Sequence, residues 1–290
     1  MSSDNKTKVA HQSPFVRMLR RVLRARMAGF GLIVAALVVL AAIFAPWISP
    51  YHPFDSDAYA TLAAPSSQHW LGTDDLGRDV LSRLVHGARI SMIVAFGSIL
   101  MAALVGTAIG LIAGYAGRLV DEILMRAMDA VLAFPAILLA LGITAVLGLG
   151  ITNVIIALAI VNTPTLARLV RGEVLTVREQ EFVLAARSLG FGRLRILLRH
   201  ILPTVAPVLV VQATIMMSHA IIAEASLSFL GVGAAAPAPS WGAILNSGFN
   251  YLEKAPWLWL APGVTIFTTV FAMNMVGDGL RFAVDPRSED

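Results

Sequence analysis

The sequence predicts an all-α integral membrane protein with six transmembrane helices. Of its 290 residues, 57% are hydrophobic and only 14% are charged, whereas soluble globular domains carry about 25% charged residues. Six apolar runs each have about the 20 residues that an α-helix needs to cross roughly 30 Å of hydrocarbon. A mean hydropathy of +0.77 agrees with this class.

The chain is expected to begin with a cytoplasmic tail, 1–26, that ends in an amphipathic helix. Residues 14–26 (PFVRMLRRVLRAR) alternate apolar and arginine side chains at helical spacing, which is typical of a helix on anionic headgroups. The apolar run 27–48 follows. It exceeds the roughly 7–15 residues of a signal-peptide core and lacks an Ala-x-Ala exit, so we expect a retained first transmembrane helix.

The remaining organisation follows from the order of polar and apolar segments. A periplasmic loop, 49–88, precedes a five-helix core, 89–279, and a short cytoplasmic tail, 280–290, ends the chain. The predicted spans of the core are 90–115, 120–147, 151–170, 203–229 and 256–279.

The lysines and arginines predict the orientation. Eighteen of the 22 fall on the side of the two termini, and four fall on the other side. Loops rich in Lys and Arg face the cytoplasm, so both termini are expected there. Tryptophans favour the membrane interfaces, and all five fall at or beyond the opposite ends of the spans: Trp47, Trp70, Trp241, Trp257 and Trp259.

Several kinds of chemistry are excluded by what the sequence lacks. It has no cysteine, hence no thiolate metal site or disulfide. Its six histidines show no metal-ligand spacing, and neither HExxH nor GxSxG occurs. None of its three lysines follows a glycine, so it has no Walker A loop for ATP. Basic residues border apolar segments, which indicates membrane topology rather than nucleic-acid binding. We therefore predict no catalytic residue, no metal and no cofactor bound by this chain.

The longest basic segment inside the core is 181–203, EFVLAARSLGFGRLRILLRHILP, which we call the elbow. Gly190 suits the left-handed cap that ends one helix, Gly192 gives freedom to the next turn, and helical periodicity resumes at Arg193. The pattern predicts a helix, a sharp corner and a second helix that enters span five at Pro203. Ala185 and Ala186 would allow close approach by a partner whose carboxylates meet the arginines. An amphipathic loop lying on anionic lipid is the alternative.

A few residues within the spans are candidates for packing or for the pathway. Gly106, Gly110 and Gly114 form a ladder that favours close helix packing. Pro164 is expected to bend span four, and Glu224 is expected near the outer interface, within reach of water. Pro164, Glu224 and Asn274 are the candidate pathway or gate residues.

Charged residues near the ends of the spans are expected to form local pairs. At the inner start of span three, Arg126 has helical spacing to Glu122 and Asp129. In the outer loop, the GTDDLGRD stretch either caps a short helix or docks a binding protein.

The elbow resembles the EAA loop of ABC-importer permeases, through Ala185-Ala186, Gly190 and Ile201-Leu202-Pro203. The stretches HWLGTDDLGRDVLSRLVHGARIS, RAMDAVLAFPAILLAL, EASLSFLGVG, APSWGAIL and GDGLRFAVDPR resemble the C-type permease subunits of dipeptide, oligopeptide, nickel and glutathione importers. The sequence departs from the motif at Leu184, which stands where the motif has its first Glu. The contact that this Glu makes is expected to be absent here or to be supplied by Glu181.

The resemblance implies a type I, MetI-like permease fold in the bacterial inner membrane. It implies an EAA loop at 171–202 with a coupling helix at about 186–194, seated on a cytoplasmic ATPase. The implied partners are a homologous second permease subunit, two ATPases that bind ATP and Mg²⁺, a periplasmic or lipid-anchored binding protein, and membrane lipid. The implied coupling residues are Glu181, Ala185, Ala186, Arg187, Gly190, Phe191, Gly192, Arg193, Leu202 and Pro203.

The expected function is ATP-driven peptide import by a non-catalytic membrane subunit. Import of nickel or glutathione by the same architecture is an alternative. A different class, a proton-coupled secondary transporter, would use Glu224 or Asp129. An intramembrane enzyme would need a catalytic cluster at membrane depth, and the sequence shows none.

Overall fold

A computed structural model describes residues 26–234 and 237–284. Within these ranges the chain is helical and forms no β-strand, which confirms the predicted all-α class. The predicted tails, 1–25 and 285–290, lie outside the described residues. The helices of the described ranges are α1 Arg26–Ile48, α2 Val80–Ala116, α3 Arg118–Leu132, α4 Ala136–Leu147, α5 Ile151–Val177, α6 Glu181–Ser188, α7 Arg193–Ile196, α8 Leu202–Phe229, α9 Trp241–Phe249 and α10 Trp257–Val284.

Five of the helical segments are long and apolar enough to cross a membrane. The predicted third span, 120–147, is divided into α3 and α4, which meet at an angle of 90°. Pro135 explains the break, since it lacks an N–H and disfavours helical geometry at Phe134. A sixth span exists if the bent pair is counted as one. The membrane-spanning segments are Met27–Ile48, Val80–Ala116, Ile151–Val177, Arg193–Phe229 and Trp257–Ala283.

The glycine ladder allows α2 and α5 to pack closely together. A methyl group added at Gly106 would come within 2.9 Å of the Thr163 carbonyl oxygen, and one at Gly110 within 2.6 Å of that of Ala167. Gly114 is likewise closed in by Val174. The ladder therefore serves packing between two helices of this chain.

The segment 49–79, which we call the cap segment, folds over one end of the bundle. Asp79 caps α2: its Oδ2 accepts from the Ser82 N–H at 2.8 Å, and its Oδ1 lies 2.9 Å from His69 Nδ1. Arg78 Nε donates to Asp74 at 2.7 Å, and Arg83 lies 3.4 Å from the same carboxylate. Asp74 and Asp79 are buried. The structure thus assigns these carboxylates to capping and internal pairing, and α2 begins at Val80, inside the predicted loop 49–88.

Two tryptophans fasten the cap segment and α9 to the bundle. Trp241 is 1% exposed, and its Nε1 donates to the Leu84 carbonyl of α2 at 3.0 Å. Trp257 Nε1 donates to the Thr73 carbonyl of the cap segment at 3.2 Å. Trp47 and Trp70, in contrast, are exposed. The tryptophans therefore do not all serve as interfacial anchors, since Trp241 belongs to the core.

Candidate coupling elbow and pathway residues

The elbow has the predicted order of helix, corner and helix. α6 ends at Ser188, and Gly190 adopts a φ of +78°. The N–H of Phe191 then returns to the Ala186 carbonyl at 3.2 Å, a capping bond of the kind that closes a helix C-terminus. Gly192 has an ordinary φ of −63°, so its predicted need for freedom is wrong. From α7 a turn of π-helix leads directly into α8.

The inner face of the elbow is anchored in the bundle. Val183, Ala186 and Ile196 are buried in one cluster with Val174 and Val177 of α5. Two expectations are corrected by this. Ala186 is 4% exposed, so Ala185 presents the small surface side chain, and the short helix is Glu181–Ser188 rather than about 186–194. The anchor joins the elbow rigidly to α5 and α8.

The outer face of the elbow carries exposed apolar side chains together with arginines. The large apolar side chains are Phe182 at 43%, Leu184 at 42%, Leu189 at 73% and Leu194 at 69%, and Arg187 and Arg193 are exposed as well. Leu184, the departure from the EAA pattern, is one of the exposed residues. Exposed large apolar side chains next to cationic ones favour a protein or membrane contact.

A basic cavity of about 510 Å³ opens beside the elbow, at the end of α2. Its walls include Arg178, Arg187 and Arg193 together with Glu179 and Tyr115. The Arg187 guanidinium lies 5.5 Å from the centroid of the Tyr115 ring, while Arg178 donates to the Gly114 carbonyl at 2.9 Å and pairs with Glu179. With three guanidinium groups against one carboxylate, the lining of this cavity has a net positive charge.

The remaining predicted coupling residues lie at the edges of these surfaces. Phe191 is partly buried, stacked on His200 and covered by the Arg195 guanidinium at 4.4 Å. Glu181 is exposed in the first turn of α6, and no ion pair joins it to another described residue. Leu202 is half-buried and Pro203 is exposed in the first turn of α8.

Glu224 is not near water, contrary to the expectation. It is 1% exposed, and it accepts hydrogen bonds at 2.7 Å from Ser91 of α2 and from Ser228. Ser240, which begins α9, also hydrogen-bonds to it. The carboxylate therefore joins α2, α8 and the start of α9. Sequence reasoning missed the three serines, which are spread over 150 residues and form no local motif.

The other two pathway candidates also lie in contacts within the bundle. Pro164 is buried inside α5, and the helix continues through it. Asn274 of α10 accepts a hydrogen bond from Ser218 of α8 at 2.9 Å. Within the described residues, no hydrogen bond joins either of them to Glu224, so the structure does not gather the three candidates into one site.

Sequence reasoning also missed two ion pairs between α3 and α5. Asp121 accepts from Arg171, with Nη2 and Oδ2 2.6 Å apart, and Asp129 pairs with Arg168. The expected pairing of Arg126 within α3 is therefore wrong for Asp129. The partners are separated by 50 and 39 positions in the sequence. Helical periodicity predicts only pairs that are three or four positions apart, so it could not indicate these two.

Two family profiles match the chain. The profile described as the binding-protein-dependent transport system inner membrane component matches residues 106–290. The one described as the N-terminal transmembrane domain of oligopeptide transport permease C matches residues 13–65. Together they cover the first span and the core from residue 106 onward.

Individual proteins match over nearly their whole length. The dipeptide transport system permease protein DppC of Alkalihalophilus pseudofirmus is 44% identical over 95% of this chain and 90% of its own. The di/tripeptide transport system permease protein DppC of Pseudomonas aeruginosa is 43% identical over 89% of this chain and 87% of its own. A chain of the inward-facing MetNI methionine ABC transporter has a TM-score of 0.58 over 70% of this chain and 97% of its own, at 21% identity, which supports the fold alone.

Proposed function

The chain belongs to the family of binding-protein-dependent transport system inner membrane components, and on that premise we propose that it is one permease subunit of an ATP-driven peptide importer. Relatives of 43–44% identity over most of the chain are named for dipeptide and di/tripeptide transport. The subunit itself is not catalytic. ATP and Mg²⁺ are bound by partner ATPases, and a binding protein supplies the substrate.

The single observation that carries the coupling role is the two-faced elbow. Its inner face is buried against α5 and continues into α8, while its outer face exposes Leu184, Leu189 and Leu194. A movement of the outer face is therefore transmitted to a membrane-spanning helix, α8. In this proposal the apolar face sits in a groove of an ATPase, and closure of two ATPases moves two such elbows together. Leu184 makes an apolar contact where the EAA pattern has a Glu.

The proposed assembly contains a second, homologous permease subunit, and this chain supplies half of the pathway. The elbow and both termini face the cytoplasm, as the excess of Lys and Arg on that side favours. The cap segment then faces the binding protein. Within this assignment, the large apolar surfaces of the spans are covered by lipid and by the second permease.

Peptides are the substrates that the relatives' names favour. Glutathione import by the same architecture is the alternative, because glutathione is itself a small peptide. Direct coordination of nickel has no support, since no group of three or more His, Cys, Asp or Glu in the described ranges is arranged to hold a metal ion.

The proposal is tested by uptake of a labelled dipeptide into proteoliposomes that contain this chain, its second permease and its ATPases. Uptake is expected to need both ATP and the binding protein. Uptake by this chain alone under a pH gradient would instead establish a secondary transporter and overturn the proposal.

The coupling role is tested separately with Leu189→Asp, which places a charge on the open face without disturbing the buried anchor. ATPase subunits are expected to be lost from the purified complex. Leu149→Asp is the matched control, because Leu149 is an exposed leucine, at 59%, in the turn at the opposite end of the bundle. Equal retention of the ATPases in both variants would remove the elbow from the coupling interface.

A further inference from the structure

An exposed arginine lines an apolar groove between α1, α2 and α8. The groove encloses about 540 Å³, and its walls include Val39, Ile43, Ile93, Phe96 and Met217. Arg89 is the charged residue of the lining and is exposed. The volume is more than three times that of an engineered cavity of ~150 Å³ that admits benzene, so the groove has room for part of an acyl chain.

Arg89 has no partner within the described residues. No hydrogen bond or ion pair joins its guanidinium to any residue in 26–234 or 237–284. The buried carboxylate of Glu224 also contacts α2, where it accepts a hydrogen bond from Ser91. Ser91 lies about 200° around the helix from Arg89 at 100° per residue, so Glu224 belongs to the opposite face. Within the described residues the guanidinium is therefore left without an anionic partner.

Along α2, a charged side chain is followed by apolar side chains, in the same order as the phosphate and the acyl chain of a phospholipid. Arg89, Ile93 and Phe96 follow at i, i+4 and i+7 on one helix face. Arg89 is the member closest to the cap segment, and Phe96 lies about 10 Å deeper along the helix axis. A cation therefore lies above a strip of apolar wall that runs towards the middle of the bilayer. A phospholipid has the same order, with phosphate above acyl chain.

We propose that this groove is a binding site for an anionic phospholipid of the leaflet on the cap-segment side, with its phosphate on Arg89 and one acyl chain along Ile93 and Phe96. Arginine binds phosphate through two parallel hydrogen bonds, and an unpaired charge at this depth is stabilised only by such a partner or by water. A net anionic headgroup is favoured over a zwitterionic one, because the zwitterion brings its own cation to a site without carboxylates. The site is independent of the substrate that the transporter carries.

The test uses the complete transporter in phosphatidylcholine nanodiscs that contain phosphatidylglycerol with a diazirine on its acyl chain. Illumination is expected to label the α2 peptide around Ile93 and Phe96. Labelling by a phosphatidylcholine with the same diazirine is expected to be several-fold weaker. Equal labelling by the two lipids overturns the proposal, and so does a crosslink that shows the second permease subunit covering Ile93.

Substitutions test whether Arg89 is the cation that binds the phosphate. Arg89→Gln is expected to lower phosphatidylglycerol labelling about tenfold, because glutamine supplies neither the charge nor the paired donors that bind the phosphate, and Arg89→Lys should restore part of it. Lys254→Gln removes an exposed cation from the loop before α10 and should change nothing. Ile93→Trp, which fills the groove and keeps the cation, should also lower labelling. Unchanged labelling in both Arg89→Gln and Ile93→Trp overturns the site.

Discussion

The carboxylate of Asp121 lies 2.6 Å from the guanidinium Nη2 of Arg171 and holds the start of α3 against the inner half of α5. Both side chains are partly shielded, with 19% and 34% of their surface exposed. This matters for the bent pair, because no residue of α3 is buried. The position of α3 therefore depends on this pair and on the Asp129–Arg168 pair more than on apolar packing.

Removing the first pair should loosen α3 measurably. Asp121→Asn is expected to cost about 1 kcal/mol, the upper end for a partly exposed ion pair, which lowers the Tm of the purified transporter by roughly 2–4 °C. The charge exchange Asp121→Arg with Arg171→Asp should recover part of the loss. Asp129→Asn is the matched control with a smaller expected shift, since that pair is about half exposed. A larger shift for Asp129→Asn would reverse the ranking of the two pairs.

Two substitutions at Glu224 distinguish a structural role of this residue from a role in proton coupling. Glu224→Gln keeps a polar group that can serve Ser91 and Ser228, so ATP-driven uptake and Tm should stay near wild type. Glu224→Leu leaves the serine hydroxyls of that site unsatisfied, at about 1–3 kcal/mol for a buried group, and should lower both. If the carboxylate relayed protons instead, Glu224→Gln alone would abolish uptake while the Tm stayed unchanged. Uptake and thermal unfolding measured on the same preparations decide between the two roles.

The glycine ladder gives a packing prediction with an internal control. Gly110→Ala forces a methyl group to within 2.6 Å of the Ala167 carbonyl and 2.7 Å of Val170 Cβ, so α2 and α5 must separate. Such overpacking typically costs about 1–3 kcal/mol. Gly142→Ala on α4 meets no atom within 4 Å and should be neutral or slightly stabilising. Thermal unfolding of the two variants side by side checks the prediction, and equal Tm values would contradict the close contact.

The parts of the fold that sequence could predict are those with a local signal. Apolar length marks the spans, and Gly190 between two helical patterns marks the corner of the elbow. The bend before Pro135 also had a local signal, since the residue preceding a proline disfavours helical geometry. It was missed because the apolar run on both sides is long enough to be taken for one span.

The sequence of a membrane protein contains no comparable local signal for which single residues are buried. Lipid-facing and core-facing side chains are both apolar, so hydropathy does not show that Ala186 is buried while Leu184 is open. The environment of Glu224 depends on Ser91 and Ser240, which approach it only after three helices pack. Distant pairs such as Asp121 and Arg171 are likewise set by packing. Prediction from sequence therefore ends where the contacts become non-local.

Gly190 is the local signal whose consequence for coupling can be measured. Its φ of +78° costs most residues about 1–2 kcal/mol, least for Asn and most for β-branched side chains. No atom lies within 4 Å of the position that a Cβ would take, so only backbone conformation opposes a substitution. Gly190→Asn should therefore keep ATP-driven uptake, whereas Gly190→Val should reduce it severalfold by tilting Leu189 and Leu194 away from their partner. Insertion and the Tm of the bundle should change little in either variant, because Val183 and Ile196 still anchor the elbow. ATP hydrolysis and uptake measured together provide the readout, and equal uptake in the Asn and Val variants would show that the corner's backbone geometry is not needed for coupling.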